Sequence, residues 1–117
     1  MAQLNGSEIL AKALKREGVD ELFFLMGGPM LAAEAATINE GIRCIDVRHE
    51  QAAAMMAQAY SRLQQRPGVC MAASGPATIN LSTGLANALI DCCPVVALGG
   101  AGPVSGYGRQ VFQESGL

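Results

Sequence analysis

VCMAASGPATINLSTGLANALIDCCPVVAL, residues 69–98, decides the fold. Val69 to Ala73 is a short apolar run suited to a buried strand, and Ser74-Gly75-Pro76 turns the chain out of it. From about Thr78 to Asp91 the residues favour a helix, Pro94 closes it, and Val95 to Leu98 is apolar again. Two strands joined by a helix of this length need a right-handed crossover, and the crossover makes them parallel.

The same alternation continues upstream. Glu50 to Gln64 is dense in Ala, Met and Gln and reads as a helix, closed by Pro67-Gly68. Ile42 to Val47 reads as a strand, Met30 to Glu40 as an Ala-rich helix stopped by Gly41, and Glu21 to Met26 as a strand buried on both faces. Asn5 caps a first helix with Glu8 at the capping-box position, its apolar face is Ile9, Leu10, Ala13 and Leu14, and Gly18 ends it. Helix and strand therefore alternate four times before a Gly-rich loop from Gly99. The fold class is α/β, a parallel sheet with helices on both faces.

The length of 117 residues leaves room for one small domain. Half of those residues are hydrophobic and only 15% are charged, so part of the surface is expected to be covered by another chain or domain. A net charge of −2, with no Trp and few other aromatics, supplies neither a basic stripe nor stacking platforms for nucleic acid. Asp91 and Pro94 interrupt the most apolar stretch, so no membrane span is expected. The start MAQLNGSEIL lacks the basic and apolar regions of a secretory signal, and a cytoplasmic location follows as the expectation. Cys44, Cys70, Cys92 and Cys93 show no metal-binding spacing, and with a single His they read as small reduced core residues.

In an open parallel sheet, ligands sit outside the carboxyl ends of the strands. Four segments gather there: Gly27-Gly28-Pro29, Arg48-His49-Glu50, Ser74-Gly75-Pro76 and the loop from Gly99 to Glu114. Glu50 follows a strand and opens a helix poor in charge, where a carboxylate tends to stay protonated or to find a single partner. By position alone it also fits an acidic residue serving the helix dipole. Asn80 fits a helix cap, Gly27 and Gly28 fit a plain turn, and His49 fits either a proton shuttle or a residue that shapes the turn. Met55 and Met56 read as packing against a partner subunit, and the glycines from 99 to 102 lack the spacing of a dinucleotide site.

Taken together, RHEQAAAMMAQAYSR at 48–62, SGPATINLSTGLANALIDCCPVVALGG at 74–100 and FQE at 112–114 resemble the pyrimidine-domain signatures of thiamine-diphosphate (ThDP) enzymes. The group is that of acetolactate synthase and 2-hydroxyacyl-CoA lyase, with oxalyl-CoA decarboxylase-like members. The resemblance implies that Glu50 hydrogen-bonds N1′ of the aminopyrimidine and drives it toward its imino form, which removes the C2 proton. It implies cofactor contacts at Pro76, Asn80 and Gly28, and substrate contacts at Gln113 and Pro29. Ala77, Thr78 and Ile79 depart from the family's Gly-Ala-Thr, and Met26 and Pro29 depart from its Pro-Gly-Gly loop, so the turn and the substrate pocket are expected to differ locally.

The resemblance also implies partners. The family's diphosphate-binding segment, which holds ThDP through Mg2+, has no counterpart in residues 1–117, nor has a middle domain. The chain is therefore expected to be a pyrimidine domain cut short at Leu117 and inactive alone. Its active site would be completed by a second copy in a homodimer or homotetramer, acting on a small molecule such as a 2-hydroxyacyl-CoA thioester or a 2-keto acid. The other expectations are a small complementing subunit that pairs with a separate diphosphate-binding chain, and a non-catalytic module.

Overall fold

The computed structural model describes residues 3–114 of the chain. Helix α1 (Gly6–Arg16) starts at Asn5 with the reciprocal cap read from the sequence: the Asn5 side chain accepts from the Glu8 amide and the Glu8 carboxylate accepts from the Asn5 amide. Strand β1 (Glu21–Phe24), a short 3₁₀ turn (Gly28–Met30), helix α2 (Leu31–Asn39) and strand β2 (Arg43–Asp46) follow. Then come helix α3 (Glu50–Gln64), strand β3 (Gly68–Ser74), helices α4 (Pro76–Asn80) and α5 (Ser82–Ile90), strand β4 (Val95–Gly100) and a 3₁₀ turn at Val104–Gly106.

The four strands form one parallel sheet in the order β2-β1-β3-β4. Period-two alternation divides the core between its faces. Leu22, Phe24, Val69 and Met71 point to one face and pack with Leu10 and Leu14 of α1 and Ala33 of α2. Phe23, Cys70 and Ala72 point to the other and pack with Ala53, Ala54 and Ala57 of α3, Leu81, and Leu85 of α5. Helices thus cover both faces, as the sequence predicts. The chain runs from β1 outward to β2, returns past β1 to β3, and continues to β4. The direction reverses between β1 and β3, the place where open parallel sheets form a ligand crevice.

Several boundaries differ from the sequence reading. β1 ends at Phe24, because the chain leaves the sheet at Leu25 and Met26 stands 59% exposed. β2 is an edge strand and half open to solvent, and β3 alone is buried along its whole length. The single helix expected from Thr78 to Asp91 starts at Pro76 and is jointed at Leu81. There the Leu81 amide donates to the Thr78 carbonyl at 3.1 Å, a tighter turn, and the Leu81 side chain is fully buried between the two pieces. Met55 and Met56 are 40% and 38% exposed on α3. Cys92 corrects the cysteine reading, since it is exposed, while Cys70 is buried and Cys44 and Cys93 are half-buried.

Candidate active site

Glu50 is the first residue of α3, and His49 before it is the N-cap. The His49 Nδ1 accepts from the Gln51 amide at 3.1 Å, so the imidazole shapes the turn, and it is exposed to solvent. Glu50 is only 8% exposed. Its Oε2 accepts from Asn80 Nδ2 at 2.9 Å, which ties the start of α3 to the last residue of α4. Its Oε1 has no hydrogen-bond partner among the described residues. The carboxyl has therefore taken one partner and kept one oxygen open. Asn80 does not cap α5, whose first residues receive no side-chain hydrogen bond.

The turn Ser74-Gly75-Pro76 builds the seat for Asn80. Gly75 has φ +59 and ψ −119, a conformation that a residue with Cβ avoids. Pro76 then opens α4, where its missing N–H costs nothing. Thr78 Oγ1 donates to the Ala73 carbonyl at 2.6 Å and pins α4 to the end of β3. The sequence reading has Thr78 as the approximate start of a helix and as a departure from the family turn. Its donor role was not visible there because the acceptor is a backbone carbonyl.

Gly75 also touches the last loop. A Cβ built on it would stand 2.2 Å from the Gln113 carbonyl oxygen, so glycine alone lets the loop lie against the turn. Gln113 itself has φ +58. Glu114 buckles the loop: its carboxylate accepts from the amides of Gly108 and Val111, the latter at 3.1 Å. Gly28, Pro29 and Gln113 line one cavity of about 400 Å³ with Ser74, Pro103 and Phe112. The sequence-predicted residues thus fall into two groups. Glu50 joins Asn80 through a hydrogen bond, and Gly28, Pro29 and Gln113 share a cavity that Glu50 does not line. Gly75, which lies against Gln113, and Pro76, the first residue of α4, connect the groups.

Burial pushes the Cys70 thiol up to about 11, so it stays protonated at neutral pH. Among the described residues no cluster of three His, Cys, Asp or Glu could hold a metal ion, and no helix is long and apolar enough to cross a membrane.

Comparison with known proteins shows the family. Residues 4–116 match the model of the thiamine pyrophosphate enzyme family, N-terminal TPP binding domain. The chain is 41% identical over 112 residues to acetolactate synthase 2, chloroplastic, of Brassica napus, covering 95% of this chain and 18% of that protein. It is 41% identical over 111 residues to the acetolactate synthase isozyme 2 large subunit of Escherichia coli K12, covering 95% of this chain and 20% of the relative. It is 38% identical over 112 residues to 2-hydroxyacyl-CoA lyase 1 of Mus musculus, covering 96% and 19%. The chain spans about a fifth of the length of these relatives.

Proposed function

The chain belongs to the thiamine pyrophosphate enzyme family as its N-terminal TPP binding domain, and on that premise we propose that it supplies the cofactor-activating half of a carbon–carbon lyase or carboligase. The substrates in this reading are 2-hydroxyacyl-CoA thioesters, the class that the name of one relative prints, or 2-keto acids. ThDP, when bound, supplies a carbon nucleophile and an electron sink for breaking or making a C–C bond beside a carbonyl.

One observation carries the proposal: Glu50 is buried at the carboxyl end of the sheet, bonded through one oxygen and open at the other. A basic ring nitrogen of a cofactor is the kind of partner that the open Oε1 fits, and a carboxyl placed there can exchange a proton with it. Pro76 and Gly28 flank the crevice from α4 and the turn after β1, and Gln113 and Pro29 would face the substrate in their shared cavity. The diphosphate and its Mg2+ belong, in this reading, to a separate domain. A second copy of the chain covers exposed apolar residues such as Met55 and Met56 in a homodimer or homotetramer in the cytoplasm. The chain by itself is proposed to be inactive.

The test is product analysis with the full-length protein, ThDP and magnesium, offered pyruvate or a 2-hydroxyacyl-CoA. A carboligation product or a cleaved thioester is expected with one of them. Neither substrate being consumed by ThDP-loaded protein would overturn the substrate assignment.

A further inference from the structure

We infer that Asn80 is a positioning residue for Glu50, selecting which carboxyl oxygen carries the transferable proton, an inference that rests on the proposed role of Glu50. The amide Nδ2 can only donate, so Oε2, at 2.9 Å, must act as acceptor. When Glu50 is protonated, its proton therefore sits on Oε1, the oxygen left open. When that proton moves from Oε1 to a ring nitrogen of the cofactor, Glu50 becomes a carboxylate. The Asn80 N–H bond then becomes charge-assisted and strengthens, which stabilises the state after transfer. The donor is neutral. A Lys or Arg in its place would hold the carboxylate permanently ionised and leave no proton to give.

The fold spends several constraints on this one amide. Asn80 ends a helix of five residues whose start is fixed by Gly75 and Pro76, whose middle is tied to β3 by Thr78, and whose exit is anchored by fully buried Leu81. Gly99 has no Cβ, and one placed there would stand 2.7 Å from the Thr78 side chain, so β4 also closes against the same turn. Asn80 itself is exposed at the rim while Glu50 is buried, so its reach is inward to the carboxyl.

The experiment uses the full-length enzyme with Asn80→Leu, which keeps the branched shape of the side chain and removes the donor, in the native and Glu50→Gln backgrounds. C2 proton exchange of bound ThDP is measured together with ThDP affinity by calorimetry. A third readout, on cofactor-free native enzyme with isotope-labelled asparagine, is protection of the Asn80 side-chain amide protons. With ThDP saturating, the expected result is exchange slowed about 10- to 100-fold, as for loss of a charge-assisted hydrogen bond, no further loss in the Glu50→Gln background, and a protected Asn80 amide. Native exchange in Asn80→Leu, additive loss with Glu50→Gln, or an unprotected amide would each overturn the inference. The protection readout needs no variant and can overturn the inference even where Asn80→Leu folds poorly. Glu50→Gln exchanging at the native rate would instead remove the role of Glu50 itself.

Discussion

Asn80 and Glu50 lie 30 residues apart in the chain, and 2.9 Å separates their side chains. That single hydrogen bond joins the start of α3, which enters from an edge strand, to the end of α4, which leaves the central buried strand. It places a carboxyl, one oxygen of which has no partner among the described residues, beside the point where the sheet reverses direction. The site therefore depends on two neighbouring turns keeping their shapes, and most of the predictions below act on those turns or on the helices behind them.

Gly75→Ala should dislodge the last loop. The backbone at φ +59 and ψ −119 excludes a Cβ, and the Gln113 carbonyl occupies the space it would need. The expected cost is about 2 kcal/mol or more, with faster amide exchange across residues 106–114. Native stability and native exchange in that segment would show that the loop does not rest on Gly75.

Glu114→Ala removes the acceptor for the amides of Gly108 and Val111 without touching the sheet. Those two amides should exchange about 10-fold faster or more, in line with roughly 1.5 kcal/mol per lost charge-assisted bond, while core amides of β3 stay unchanged. Uniform loss of protection would mean that Glu114 supports the whole domain.

Gly84→Ala should force α3 and α5 apart, since the new Cβ would stand 2.5 Å from the Ala54 Cβ. Overpacking of this kind costs about 1–3 kcal/mol. Adding Ala54→Gly should recover much of the loss, read as melting temperature. A double variant no better than the single one would place the strain elsewhere.

Cys92→Gly should stabilise the protein. Cys92 is exposed at the exit of α5 with φ +53, a left-handed conformation that glycine adopts at less cost. A gain of about 0.5–1 kcal/mol is expected, visible as a rise in Tm. A fall in Tm would indicate that the thiol makes a contact worth more than the backbone strain.

Much of the fold was legible in the sequence because its signals are local. Asn5 with Glu8 marked the first cap, Gly18 and Gly41 marked two helix ends, and apolar runs broken by Gly and Pro marked the strands. The order of elements then implied the parallel sheet and the edge where a site would gather. The joint at Leu81 was not legible, because it arises from burying one side chain between helices rather than from a breaker residue. The left-handed conformations of Gln65 and Cys92 were not legible for a related reason, since glycine usually signals them. In the site, Glu50 and Gln113 stood out through their motifs. The pairing of Glu50 with Asn80 and the seat of Gln113 on Gly75 depend on where distant turns meet, and no local pattern encodes that.

The central claim, that Glu50 activates ThDP, is tested most directly by C2 proton exchange of the bound cofactor in the full-length Glu50→Gln enzyme. The variant keeps the shape of the side chain and its hydrogen bond to Asn80 but cannot give a proton from Oε1. Exchange about 100-fold slower or more, with native circular dichroism and native ThDP binding, is the predicted result. Exchange at the native rate in a folded, ThDP-loaded variant would contradict it.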